Sequence, residues 1–296
     1  MKSNVGIIMA GGTGSRLMPL TNAVNKHLLS VYNKPMIYYS ISILMLSNIK
    51  NIIIFSDNHS IKSFKKILGD GKSLGINISY LKQNKPNGIP ECFILAKKYI
   101  ENKNKIVLIL GDNLFYGKSF ISLITEKIKN IQKGCTFFGY QVSNPENYAV
   151  ISNLKKKVYL EEKPKKPKSN YVVPGIYIFD SKSPNLSKKL KKSKRGELEI
   201  IDLIKLYIKN NDYNFEIIPR GVSWLDMGSF DDLAAATSLI MTLEKRQNLM
   251  ICSPHEIAWR MNFINSKDLI LLAKKFKNNY GKYLLSLPKE FRYKNT

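Results

Sequence analysis

The chain has 296 residues, 44% of them hydrophobic, and a formal net charge of +25. That length holds one sizeable domain, or a main domain with a smaller attachment, and no run nears the roughly 18 uncharged apolar residues of a membrane span. Of the 47 basic residues only Arg16, Arg195, Arg220, Arg246, Arg260 and Arg292 are arginines. Lysines scattered through apparent turns and helices do not make a nucleic-acid-binding stripe, although a diffuse positive field would gather small anions.

The start, MKSNVGII, has neither an apolar leader nor a small-residue cleavage site, so a cytoplasmic protein, complete as written, is expected. Val5–Met9 reads as a strand that breaks into the loop Gly11-Gly12-Thr13-Gly14-Ser15-Arg16. A P-loop needs Gly-Lys-Ser/Thr where this loop has Gly14-Ser15-Arg16, and the dinucleotide fingerprint needs a glycine where Leu17 stands. What remains is either an ordinary tight turn or a nest of backbone N–H groups for an anion. Arg16 has the forked shape that suits phosphate oxygens, and Lys26 adds a second cation.

Further strand-like runs are Asn51–Ser56, Ile76–Leu81, Ile106–Leu110 and Thr136–Val142. Between them lie helix-like segments at Met36–Leu46, Ser60–Leu68, Pro90–Ile100 and Phe120–Ile131. Strands alternating with helices predict an α/β fold, a Rossmann-like, mostly parallel sheet covered on both faces. After Tyr140 the texture becomes more antiparallel, with strand candidates Tyr148–Ser152, Lys157–Glu161 and Tyr171–Phe179. Helices are expected at Pro184–Lys192 and Leu198–Lys209, a strand at Phe215–Pro219, and helix from Leu233 onward. The corresponding division is a main domain over residues 1–240, with one half to about 140 and a second over 141–230. Residues 241–296 form a C-terminal helical region.

Ligands of open α/β sheets collect at the carboxyl ends of strands. Met9 runs into the glycine loop, Leu110 into Gly111-Asp112, and Leu225 into Asp226. Two aspartates so placed suit Mg2+, which takes one or two carboxylates and completes its shell with phosphate oxygens and water. Taken singly, either could be a capping or turn aspartate. Cys92, Cys135 and Cys252 are odd in number and widely spaced, against a disulfide framework or a zinc site. His27, His59 and His255 are equally isolated.

The loop GGTGSRL, followed by Lys26 and KPMIYY, resembles the sugar-phosphate nucleotidyltransferases, and among them the short-form glucose-1-phosphate thymidylyltransferases. LGDG at Leu68–Gly71, VLILGDNLFYG at Val107–Gly117, LEEKPKKPKSNY at Leu160–Tyr171 and RGELEI at Arg195–Ile200 extend the resemblance. WLDMGS at Trp224–Ser229 and EIAWR at Glu256–Arg260 carry it into the C-terminal region.

The resemblance implies transfer of a thymidylyl group from dTTP to glucose 1-phosphate, with Mg2+ on Asp112 and Asp226 and a product bound for dTDP-rhamnose and related deoxysugars. It assigns the nucleotide to Gly11, Gly12, Thr13, Gly14, Ser15, Arg16, Gln83 and Gly88. Arg16, Lys26 and Lys163 become the catalytic cations. Tyr148, Ala149, Glu162, Lys163, Val173, Gly175, Tyr177 and Arg195 read the sugar phosphate, although plain core packing also accounts for Tyr148 and Tyr177. A homotetramer is implied, with a regulatory nucleotide site at Tyr116, Gly117, Arg220, Glu256 and Arg260. The bland alternative is that these residues pack the C-terminal helices. The sequence departs from the family pattern at His27, Pro90, Glu91, Ala149, Pro174 and Met227, and His255 departs near the regulatory positions. Three rival readings stay open: the same chemistry with UTP or another sugar, a nucleotide-binding relative with reduced turnover, and a basic nucleic-acid binder.

Overall fold

A computed structural model describes residues 3–289 apart from 84, 86, 102, 104, 155 and 156. The strands are β1 (Val5–Met9), β2 (Ser30–Val31), β3 (Lys34–Pro35), β4 (Asn51–Ser56), β5 (Asn77–Lys82), β6 (Ile106–Leu110) and β7 (Asn113–Tyr116). They continue as β8 (Cys135–Gln141), β9 (Ala149–Ser152), β10 (Tyr159–Glu162), β11 (Tyr171–Val172), β12 (Ile176–Phe179), β13 (Tyr213–Ile217) and β14 (Ser223–Asp226). The helices are α1 (Ile37–Leu46), α2 (Asn58–Leu68), α3 (Glu91–Leu95), α4 (Lys97–Ile100), α5 (Lys118–Asn130), α6 (Ser183–Ser187) and α7 (Ile200–Lys209). Four more close the described chain: α8 (Phe230–Gln247), α9 (Pro254–Arg260), α10 (Ser266–Ala273) and α11 (Asn279–Ser286).

One ten-stranded sheet runs β10-β9-β11-β8-β12-β6-β1-β4-β5, with β13 also on β8. β6, β1, β4 and β5 are parallel, as the alternating strands and helices predict. β12 enters antiparallel between β6 and β8, while β13 adds to β8 in parallel. The fold is thus the expected α/β type, a mostly parallel mixed sheet with a small antiparallel part and C-terminal helices.

Alternation along the central strands explains why both faces hold a core. Ile8, Ile54 and Ile109 point to the face covered by α1, α5 and α9, where Leu44, Phe120 and Trp259 are buried. Ile7, Ile53 and Leu108 point to the other face, against Phe93 of α3 and Ile204 of α7. A strand buried on both sides must be apolar at every position, which is the pattern of Ile52–Phe55 and Ile106–Ile109. A third, smaller core joins Val31, Tyr39, Leu114 and Met227 to Ala236 and Ile240 of α8.

Three segments depart from the expected elements, one of them the helix expected at Pro184–Lys192, which ends at Ser187. Tyr171–Phe179 is not one strand, because the chain leaves the sheet at Val173-Pro174-Gly175 between β11 and β12. Pro90–Ile100 is two short helices that meet at Ala96. α8 is continuous from Phe230 to Gln247 and so runs across residue 240. No helix among the described residues is long and apolar enough to cross a membrane.

Candidate active site

β1 ends at Met9, and the Ala10 N–H donates to the Phe55 carbonyl of β4 before the chain turns into the glycine loop. Gly12 has φ 99° and Gly14 φ 61°, backbone conformations that side chains other than glycine rarely adopt. Thr21 closes the loop from outside, its hydroxyl donating to the Gly14 carbonyl at 2.9 Å. Arg16 sits in the one-turn helix that follows and is exposed.

β6 lies beside β1, so its end brings Gly111 and Asp112 next to that loop. The Gly111 N–H donates to the Met9 carbonyl at 2.8 Å. Lys26 reaches over and its ammonium donates to Asp112 Oδ2. Burial, the largest single influence, would raise the Asp112 carboxyl, but the charges of Lys26 and His27 together with the hydrogen bonds from Lys26 and Asn113 hold the group below the usual carboxylate range.

The second aspartate arrives by strand pairing. β14 runs antiparallel to β7, with Asp226 opposite Asn113, the residue after Asp112. The Met227 N–H then donates to the Asp112 carbonyl at 3.0 Å, fastening the two segments together. Burial, and after it the charge of Asp112, push the Asp226 carboxyl up to about 6. Two carboxylates brought together out of water resist sharing their negative charge, so the pair favours a cation between them. Arg16 bends towards the same place. A Cβ on Gly228 would stand 2.9 Å from Arg16 Nη2 and 3.0 Å from Asp226 Oδ1, so only glycine leaves both groups their room.

Among the described residues no cluster of three or more His, Cys, Asp or Glu forms a metal cage. A pair of neighbouring carboxylates is nevertheless a donor set that suits Mg2+, which fills its remaining positions with substrate oxygens and water. The residues present therefore fit that ion.

Two clefts flank the glycine loop and share Gly11, Gly12 and Gln83. One, about 340 Å3, extends over Thr13, Asn25 and Asp57. The other, about 230 Å3, runs from Gln83 and Gly88 to Asp112 and Glu197. Gln83 and Gly88 thus face the loop, and Gln83 Oε1 comes within 3.3 Å of where a Cβ on Gly11 would be. Ser15 lies beside Arg16 at the start of the one-turn helix.

At the positions expected to read the sugar phosphate, β9 and β10 pair Ala149 with Glu162, and the Lys163 N–H donates back to the Tyr148 carbonyl at 3.1 Å. Lys163 itself takes φ 44°, a left-handed conformation unusual for a lysine and most often tolerated where function demands it. Tyr148 packs on Trp224, its hydroxyl pushed up to about 12 by burial and then by Asp226. Tyr177 is fully enclosed, and burial raises it further. The Val173 N–H donates to the Ala149 carbonyl at 2.8 Å. Arg195 stands among Glu162 at 3.7 Å, Glu197 at 3.2 Å and Glu199 at 3.6 Å. Burial, then Glu199, raise the Glu162 carboxyl.

The positions assigned to regulation fall into two groups. Tyr116 and Gly117 lie beside the Arg220–Val222 turn, through the Tyr116–Ser223 register and the close approach of Gly117 to Val222. Glu256 accepts from Arg260 Nε at 2.7 Å and from the Tyr283 hydroxyl at 2.8 Å, joining α9 to α11.

A nucleotidyl transferase family model matches residues 5–242. The chain belongs to that family. Among curated relatives, this nucleotidyltransferase is 44% identical to the glucose-1-phosphate thymidylyltransferase of Neisseria meningitidis, over 96% of this chain and 99% of the relative. It is 42% identical to that of Mycolicibacterium smegmatis, over 95% of this chain and 98% of the relative. Its fold matches a Bacillus anthracis crystal structure assigned as a glucose-1-phosphate thymidylyltransferase in complex with a sucrose, with TM-score 0.74 and 37% identity. That match covers 80% of this chain and 95% of the other. A UDP-glucose pyrophosphorylase complexed with UDP-glucose shares the fold at TM-score 0.67 and 21% identity, over 82% and 100% of the two chains.

Sequence reading passed over one residue of this nucleotidyltransferase's site. Asn113 is buried, and its amide donates to Asp112 Oδ1 at 2.9 Å. Its own oxygen accepts from Trp224 Nε1 at 2.7 Å and from the Gly175 N–H at 3.0 Å. Asn113 therefore ties the first aspartate, the β14 strand and the sugar-side turn into one knot. The available signal was an amide between an acid and an apolar run. Three departures from the family pattern are buried and lie outside the lining of the two clefts, whereas His27 lines the smaller one. Met227 is buried in the small core under α8, Ala149 in the main core, and Pro174 in the turn before β12. His27 is buried over Gly111, with Nδ1 2.9 Å from Asn25 Oδ1; burial, then Lys26, lower its ring to about 3.

Proposed function

We propose that this nucleotidyltransferase is a glucose-1-phosphate thymidylyltransferase. It joins dTTP and glucose 1-phosphate into dTDP-glucose and releases pyrophosphate. The observation that carries the reading is the meeting of Asp112 and Asp226, delivered by different strands, with Lys26 and Arg16 at the same opening. Near-complete alignment with curated thymidylyltransferases supports the choice of base and sugar.

In this reading a glucose 1-phosphate oxygen attacks the α-phosphorus of dTTP. A new P–O bond forms, the bond between the α-phosphorus and its bridging oxygen breaks, and its electrons leave with pyrophosphate. The attacking oxygen belongs to a phosphate already ionised at neutral pH, so no general base is needed and catalysis is positioning plus charge stabilisation. The glycine loop and Arg16 hold the triphosphate and stabilise the departing pyrophosphate. Lys26, now on Asp112, is within reach of the same phosphates. Lys163, fixed by its bond to Tyr148, steadies the sugar phosphate, with Arg195 beside it. Asp112 and Asp226 would hold Mg2+, which when bound offsets the repulsion between the two anionic substrates.

The same reading extends to a homotetramer, with Tyr116, Gly117, Arg220, Glu256 and Arg260 around a regulatory nucleotide, and to a product used in deoxysugar synthesis. A pyrophosphate-release assay on the purified protein tests the reaction. Turnover with dTTP, glucose 1-phosphate and Mg2+ is expected, and its absence with either dTTP or UTP removes the proposal. Light scattering tests assembly, with four chains per particle expected.

A further inference from the structure

Glu91 is the first residue of α3, where an acid suits the positive end of a helix. Its two carboxylate oxygens are already engaged. Oε2 accepts from Gln83 Nε2 at 2.9 Å, and Oε1 accepts from Asn87 Nδ2 at 2.8 Å. Lys192 donates to Asn87 Oδ1 at 2.9 Å, which fixes the Asn87 amide the right way round. The second hydrogen of the Gln83 amide points to the Gly88 carbonyl at 3.3 Å.

This settles the orientation of Gln83 by chemistry. Turned over, its oxygen would face a carboxylate and a carbonyl, two acceptors with nothing to donate. Both hydrogens of the Gln83 amide are therefore used inside the protein. A glutamine that could donate and accept is reduced to an acceptor, and Oε1 is the atom that approaches the glycine loop.

We infer that Glu91 is a positioning residue for base choice, locking Gln83 so that the cleft presents a lone acceptor to a ring N–H. The inference rests on the proposed nucleotide reading of that cleft. Thymine and uracil carry an N–H at ring position 3; cytosine carries a lone pair there and meets acceptor against acceptor. Losing that hydrogen bond and leaving the acceptor unpaired corresponds to at least about tenfold between the two classes.

Direct binding of dTTP and dCTP to wild type, Glu91→Ala and Glu91→Gln, read as a ratio of dissociation constants, tests this without requiring turnover. Wild type is expected to prefer dTTP by at least about tenfold. Glu91→Ala, which lets the Gln83 amide turn, brings the ratio towards one chiefly by strengthening dCTP. Glu91→Gln leaves one acceptor oxygen for the two amides that donate to Glu91, so its ratio should fall between those of wild type and Glu91→Ala. Equal weakening of both nucleotides in Glu91→Ala, with an unchanged ratio, overturns the inference in favour of a merely structural role. A wild-type ratio near one overturns it as well, whether or not pyrophosphate is released. A clear preference without turnover fails the proposed reaction and keeps the clamp.

Discussion

Lys26 and Lys34 each lie against a carboxylate, yet the two pairs are built for opposite ends. Lys34 and Glu244 are 1% and 6% exposed, and their charges are closed on all sides. Lys34 donates to Glu244 Oε1 and to Asn33 Oδ1, both at 2.5 Å. Glu244 also accepts from Asn33 Nδ2 at 2.7 Å and from the Ile251 N–H at 2.8 Å. Lys26 and Asp112 are 14% and 16% exposed, and a second acid, Asp226, stands beside them without a matching buried cation. A satisfied buried pair holds a hairpin to a helix; an unsatisfied one at an opening holds a place for reagents.

The largest expected effect breaks the closed pair. Lys34→Met strands the Glu244 charge and should cost about 3–5 kcal/mol in urea unfolding, while the folded fraction keeps its rate. Adding Glu244→Leu should recover much of that loss, because two apolar groups need no partner. The open pair should answer the other way round. Asp112→Asn or Asp226→Asn is expected to lower the rate of pyrophosphate release by about 10²–10³-fold with little change in melting temperature. Wild-type rates in both variants would refute the metal assignment.

Next in size is a pH effect. His255 is buried, its Nδ1 2.9 Å from the Tyr280 hydroxyl, and burial, then Lys275, lower its ring to about 4. The folded state thus binds its proton less readily than the unfolded chain, whose histidine titrates near 6.5. Stability is full above about 6.5 and is lost as pH falls towards about 4, by about 3 kcal/mol at most. His255→Gln should flatten that part of the unfolding-versus-pH curve; an unchanged slope would assign the loss to other groups. The smallest effect lies far from both pairs. Asn265 caps α10 in a reciprocal box with Asp268, and Asn265→Ala should cost about 1 kcal/mol without touching the rate.

The closed pair was the less legible of the two. No spacing in the sequence links Lys34 to Glu244, whereas Asp112 and Asp226 each end an apolar run and so announced themselves singly. What the sequence could not show was how they meet. β7 is a four-residue strand outside the expected elements, and its partner β14 lies far along the chain, so their register is a non-local choice made by packing. The central runs Ile52–Phe55 of β4 and Ile106–Ile109 of β6 were plain because burial on both faces leaves them no polar position. The same apolar continuity misled at Tyr171–Phe179, where the chain leaves the ladder so that Gly175 can donate to Asn113. Glu91 stands out in the sequence only as a departure from the family pattern; its two amide partners, Gln83 and Asn87, come from the segment between β5 and α3.

Gly88 and Leu198 form a parallel bridge, and the Leu198 N–H donates to the Asn87 carbonyl at 2.8 Å. A Cβ on Gly88 would fall 2.0 Å from the Leu198 carbonyl oxygen. The floor of the base cleft and the arm that carries Arg195 are thus one stitched piece of main chain. In the proposed reading, that seam rather than flexible side chains would set how far apart the two anionic substrates lie.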